Sequence, residues 1–358
     1  MFNKEMNIVK ALAIGVVVAG HLNIALLGGI FPPYSFSIAV FFFVAGYFYK
    51  EDYETNISDF IVKKFKRLLI PYFLYNLFYA LVTVVVFKLN GKVWGQLPTL
   101  KNFFIEPFLN GHQYAMSCPL WFVPQLFISL MLFIFILRML KKVSNNQYFH
   151  LAAFLLLAIG AIALRKFNYD AVGLLSIRTL FSVFFIYFGL FYKKYIEGKN
   201  IFSFKWFLGV FAFQSLLWLT NKDYTIAQGI GLSYILVWGR FACNIIPIIT
   251  SLTGIWACVF FAKLISPMVV EGSFVDKVGK NTYHIMANHL AIFYCLTITF
   301  LASKGIPLSS IKGHDIYWIY NPIKTSFLYF VTAMFVATYI GEFLKFLHSK
   351  IALKFKKS

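Results

Sequence analysis

Apolar runs of about twenty residues recur from end to end of this 358-residue chain. That length is what an α-helix needs to cross roughly 30 Å of hydrocarbon. The runs exclude a water-soluble globule, because 60% of the residues are hydrophobic and only 13% are charged. The mean hydropathy of +0.74 is too high for even the connecting segments to form a normal polar surface. The chain reads as an all-α polytopic integral membrane protein, one membrane-embedded domain over residues 1–358 in contact with membrane lipids.

Turn residues and charges bound the spans. They are expected near residues 8–28, 34–49, 68–87, 120–137, 149–164, 174–192 and 206–220, then within 229–265, 283–302 and 323–344. Between the second and third, Lys50 to Arg67 reads as a charged loop. The 37 residues of 229–265, interrupted by Arg240 and Pro247, fit either two short helices or one crossing with a broken or re-entrant piece. Charge decides between them. Counted as one crossing, the stretch gives ten spans with both termini on one side, where 22 Lys and Arg gather against 8 on the other, with Arg178, Arg240 and Lys324 inside spans. This obeys the positive-inside rule, so both termini are expected to be cytoplasmic. An eleventh crossing would send Lys350, Lys354, Lys356 and Lys357 outward. The net charge of +20 is accounted for by these loops, and no nucleic-acid partner is implied.

Cys118, Cys243, Cys258 and Cys295 include no CxxC pair and no Cys/His run at zinc spacing, so neither a disulfide framework nor a metal is expected. No small-residue cleavage site follows the first apolar run, which therefore reads as a retained helix. The external loops at 88–119 and 303–321 are rich in aromatic, amide and Gly/Pro residues. They suit a polar acceptor such as a sugar, although an interfacial aromatic belt explains most such residues.

Ionisable groups within spans are costly and mark function. His21 lies eleven residues beyond Lys10, roughly 16 Å deeper and close to three turns on, so the two share one helical face. That places His21 near mid-membrane, with Asn23 nearby. Lys10 itself can snorkel to the interface. His284 and His289 are about 140° apart on a helix and cannot both face one small ligand. Arg178 and Arg240 suit either phosphates or backbone carbonyls and lipid headgroups. Glu342 is the one acidic candidate inside a span, which argues against a proton-coupled pump. His112 is either an acceptor contact or simply solvated.

Five segments carry a resemblance. They are Lys10-x10-His21; Phe41-Phe42-Phe43-Val44-Ala45-Gly46-Tyr47; Lys64-Phe65-Lys66-Arg67-Leu68-Leu69-Ile70-Pro71-Tyr72; Pro119-Leu120-Trp121-Phe122-Val123-Pro124; and Gly279 to His289. In order and spacing the chain resembles the acyltransferase 3 family of integral membrane acyltransferases, in particular its sugar O-acetylase branch, the relatives of fucose 4-O-acetylase. Lys64 stands where the family's third segment has its first arginine.

The resemblance implies about ten helices in a bacterial cytoplasmic membrane and an acetyl-CoA or other short acyl-CoA donor entering from the cytoplasm. The acceptor it implies is a hydroxyl of a cell-surface glycan or its lipid-linked precursor. By carry-over His21 is the essential histidine and Lys10 its partner. Lys64 and Arg67 are the basic pair for the CoA phosphates, with Arg178 and Arg240 as further donor-binding candidates. Trp121, His112, Tyr283, Asn288 and His289 are the acceptor candidates. Some relatives carry an extra hydrolase-like domain, which is not expected here because the last span ends shortly before Ser358. A neutral imidazole suits the task of base or transient acyl carrier in thioester-to-hydroxyl transfer. The rivals are a lipid-linked glycan flippase or exporter and a polysaccharide polymerase. The Lys10–His21 spacing and the cytoplasmic basic pair favour the transferase over both.

Overall fold

A computed structural model describes residues 3–24, 26–90, 96–111, 114–165, 167, 170–221, 225–226, 229–230, 232–241, 244–307 and 319–355. Its helices are α1 (Lys4–His21), α2 (Ser37–Tyr47), α3 (Ile57–Lys64), α4 (Ile70–Asn90), α5 (Leu100–Phe104), α6 (Glu106–Leu109), α7 (Phe122–Val143), α8 (Gln147–Leu164), α9 (Ala171–Tyr195), α10 (Phe204–Asn221), α11 (Ile246–Ile265), α12 (Phe274–Lys280), α13 (Thr282–Ser303) and α14 (Pro322–Phe355). Two-residue strands at Thr225–Ile226 and Gly229–Ile230 pair antiparallel, and an isolated bridge joins Ile235 to Arg240. Seven stretches there are long and apolar enough to cross a membrane: 57–88, 115–143, 147–164, 171–195, 246–265, 282–303 and 322–351. The protein is a polytopic, all-helical membrane protein. Helices α1, α2 and α10 run beside these seven; α1 carries Lys4, Glu5 and Lys10, and α2 has only 11 residues.

Polar contacts tie together one end of the bundle, called basal below. Asn3 donates to the Tyr47 hydroxyl at the end of α2 (2.7 Å), and Tyr47 donates to Glu197 beyond α9 (2.7 Å). Glu5 pairs with Lys263 at the end of α11 (3.0 Å), and Glu54 with Lys141 at the end of α7 (2.7 Å). At the same end Asn7 of α1 donates to Asp276 of α12 (2.9 Å). Between the ends the core is aliphatic and aromatic, as in the stack of Phe154 on Tyr187 with centroids 4.8 Å apart. Helices α2 and α9 meet backbone to backbone: a Cβ at Gly46 would strike the Ile186 carbonyl, and one at Gly189 the Phe43 carbonyl.

Two local readings change, and the open one at 229–265 narrows. The expected charged loop at 50–67 is mostly helical: a 3₁₀ turn over Glu51–Glu54, then α3, then a π-turn over Phe65–Leu69 leading directly into α4. Asn56 caps α3 by accepting from the Asp59 N–H (3.3 Å), and Phe60 is buried against Tyr53 and Tyr49. An amphipathic helix at a membrane edge can keep its charges in water while burying one such face. The first span, expected to reach Gly28, ends at His21. Asn23 takes a left-handed backbone (φ 54) and donates to the Gly20 carbonyl (3.1 Å), while Ile24 N–H reaches Ala19 O (3.0 Å). These paired bonds form a Schellman cap, with Asn23 in the position glycine usually takes. Within 229–265 the described residues hold one long helix, α11, preceded by a 3₁₀ turn at Leu236–Trp238, in keeping with one crossing plus a broken piece.

Candidate functional site

Because α1 stops at His21, that imidazole stands at the helix end furthest from the basal contacts, half-buried beneath a turn. The turn is shaped by Pro32 and Pro33, which bring Tyr34 back over the helix; its hydroxyl lies 3.3 Å from His21 Nδ1. On another side is His289 of α13, with ring centroids 5.1 Å apart and ring planes 39° apart. His289 is fully buried, and its Nδ1–H donates to the Ile285 carbonyl one turn back (2.8 Å).

His21 lines a cavity of about 520 Å³. Its wall continues down α1 through Val17 to Ile14, one turn from Lys10, and across Ile38 and Phe41 of α2 and Met286 of α13. At the distal end Trp121, Trp218, Tyr234 and Trp238 line it, and the polar side chains in its wall include His21, Asn23, Tyr34, Ser37, Ser233 and Tyr234. Few polar groups in a largely apolar, aromatic wall is the usual make-up of an organic-ligand site.

Lys10 is half-buried, and its charged surroundings are Arg67, Lys345, Lys280 and Asp276. Basic groups from α1, the π-turn and α14 therefore gather at one place near the basal end. Lys64, a turn before Arg67, lies over the rings of Phe60 (5.4 Å) and Tyr53 (5.9 Å). Lys10, Lys64 and Arg67 thus sit on the basal side, with His21 and the cavity beyond them along α1.

Other expected residues lie elsewhere. Arg178 is 1% exposed and donates to the carbonyls of Leu109 and Val237, the latter at 3.5 Å. Arg240 lies outside any helix, its guanidinium 5.1 Å over the Trp238 ring. Both are at the distal end, away from Lys64 and Arg67, so the four cations do not form one group. The expectation that Arg240 sits inside a span fails because the described residues 232–241 hold only a 3₁₀ turn of helix, at Leu236–Trp238. Tyr283 donates to the Leu68 carbonyl (3.2 Å). Asn288 accepts from Tyr79 (2.9 Å) and donates to the Tyr75 hydroxyl (3.1 Å) and the His284 carbonyl (2.7 Å). Neither is in the cavity wall. His284 Nδ1 meets the Tyr75 hydroxyl (2.7 Å), so the two histidines of α13 face different neighbours, as their spacing requires. Glu342 accepts from Asn281 (2.6 Å) and pairs with Lys345 (3.0 Å). His112 lies outside the described residues. Tyr34, Trp218, Ser233 and Tyr234 were not among the expected site residues. The Pro-Pro pair before Tyr34 is the one local signal for any of them.

A family model for an acyltransferase domain, acyltransferase 3, matches residues 3–346, nearly the whole chain. The chain belongs to the acyltransferase 3 family. No curated protein and no solved structure matches it. Membership makes the protein a membrane acyltransferase in general terms, and the cavity at His21 is its candidate active site.

Proposed function

We propose that this acyltransferase moves an acetyl or other short acyl group from cytoplasmic acetyl-CoA to a hydroxyl of a cell-surface glycan or its lipid-linked precursor. The proposal assigns the protein to a bacterial inner membrane, with ten crossings and both termini cytoplasmic. The observation that carries it is the cavity that runs along α1 from His21 to within one turn of Lys10 in a chain of this family. A donor held by its phosphates near Lys10, Lys64 and Arg67 would send its flexible pantetheine arm along that wall, over the roughly 16 Å of helix rise between Lys10 and His21. An acceptor sugar would meet Trp121, Trp218 and Trp238 at the distal end, where flat rings suit the apolar faces of a pyranose.

In the proposed step a His21 nitrogen takes the hydroxyl proton as the oxygen attacks the thioester carbonyl. The C–O bond forms, the C–S bond breaks, and His21 returns the proton to the departing thiolate. In the resting site the Tyr34 hydroxyl lies 3.3 Å from Nδ1. Membership of an acyltransferase family favours this reading over a flippase.

The test is incubation of purified, reconstituted protein with radiolabelled acetyl-CoA and the host's surface-polysaccharide extract. Base-labile label on the glycan is the expected result, and competing longer acyl-CoAs report the chain length accepted. Neither acetyl-CoA binding nor transfer above a control membrane protein would overturn the proposal in favour of a flippase.

A further inference from the structure

The His289 ring is fixed at one corner and open at the other. Its Nδ1–H is committed to the Ile285 carbonyl (2.8 Å), which leaves Nε2 as a bare lone pair in the neutral ring. Phe293 packs against it edge-on, with centroids 5.7 Å apart. Nε2 is fully buried and has no hydrogen-bond partner among the described residues. A buried acceptor without a donor destabilises the fold, and leucine would fill the space without that cost. The neighbour able to supply an N–H is the His21 imidazole, 5.1 Å away between centroids. His289 does not line the cavity, whereas His21 does. A ligand therefore meets His21 first, and His289 acts through it.

We infer that His289 is a positioning residue for His21, its Nε2 lone pair receiving an N–H of the His21 ring when that ring takes up the acceptor's proton. This rests on the proposed transfer reaction. A neutral imidazole that accepts a proton at one nitrogen carries an N–H at the other, and the positive charge is stabilised if that N–H has an acceptor. The acceptor proton goes to the cavity-facing nitrogen of His21. The other nitrogen, Nδ1, which rests 3.3 Å from the Tyr34 hydroxyl, turns its N–H from that hydroxyl to His289 Nε2, which stays unprotonated. The first proton then leaves with the thiolate. His289 gains and loses nothing across the cycle, and the step requires the His21 ring to turn toward the His289 ring, which lies 5.1 Å away between centroids. The geometry thus makes an imidazole pair from residues 268 positions apart in sequence.

The test compares wild type, His289→Leu, His289→Gln and His289→Asn in reconstituted protein, with acetyl-CoA as donor and the surface-polysaccharide extract as acceptor. The Gln carboxamide can offer an oxygen near the place of Nε2, whereas the shorter Asn carboxamide reaches only the place of Nδ1. The inference predicts that Leu and Asn lower kcat by about 10–100-fold at unchanged KM for acetyl-CoA, and that Gln stays within about tenfold of wild type. If the Leu variant does not fold, the Gln–Asn difference carries the test. Equal kcat for Gln and Asn in folded protein, or wild-type kcat for Leu, overturns it. An inactive wild type would instead refute the transfer reaction, and this inference would fall with it.

Discussion

Asn23 decides where the first helix stops and hence where His21 stands. Its left-handed backbone is tolerated by Asn and Gly and resisted by β-branched residues. Asn23→Gly should leave thermal stability within a few tenths of a kcal/mol, and Asn23→Val should cost roughly 1–2 kcal/mol and depress acyl transfer by displacing His21. A thermal melt in detergent paired with an activity assay checks both. Asp276, 3% exposed, accepts from Asn7, the Gly272 N–H (2.8 Å) and Lys280 (2.8 Å). Burial pushes its carboxyl up, but the Lys280, Gly272 and Asn7 contacts outweigh this and hold it below the ordinary aspartate range. A depressed folded-state value contributes stability above the unfolded value of about 4, and that contribution is lost as pH falls through the folded value. The melting temperature should therefore fall in acid below about pH 4, and Asp276→Asn should remove part of that pH dependence while costing about 1–3 kcal/mol at neutral pH. At this scale the shared face of Lys10 and His21 was legible from an eleven-residue spacing. The meeting of His21 with His289 was not, because helical periodicity says nothing of which distant helix packs alongside.

At the scale of elements, α2 and α9 approach so closely that glycine is required on both. Gly46→Ala or Gly189→Ala should cost roughly 1–3 kcal/mol by forcing the helices apart. Gly160→Ala in α8, where an added Cβ meets nothing within 4 Å, should be neutral or slightly stabilising through helix propensity. Differential melting of the three variants measures this, and equal melting would show that the contact does not limit the fold. The apolar runs announced the long helices because their period and length reflect burial in lipid directly. Residues 50–67 misled because their charges read as solvated loop, whereas the Asn56 cap and the Tyr53–Phe60 contact hold an amphipathic helix there. The stretch from 229 to 245 is apolar enough for a helix, yet residues 233–238 form a non-α-helical part of the cavity wall, followed by Gly239 in a left-handed conformation (φ 59).

For the whole molecule, the two ends of the bundle differ in charge chemistry. Lys10, Lys64 and Arg67 sit toward the basal end, whereas Arg178 is spent on backbone carbonyls at the distal end. The sequence showed the cations but not their places, since the same arginine in a span serves a phosphate or a carbonyl equally well. If the basal end is cytoplasmic, single cysteines at Lys50→Cys and Ser349→Cys, in a background without the native cysteines, should react with an impermeant maleimide only after permeabilisation. Leu100→Cys and Ser303→Cys should react in intact cells. Labelling of Ser349→Cys in intact cells would reverse the proposed orientation and, with it, the side from which acetyl-CoA enters. The central claim is that His21 performs acyl transfer. The most direct test is the rate of radiolabelled acetyl transfer to glycan by folded, reconstituted His21→Ala beside wild type. A loss of about 10²–10⁴-fold with acetyl-CoA binding retained is predicted, and wild-type turnover in the alanine variant would contradict the account.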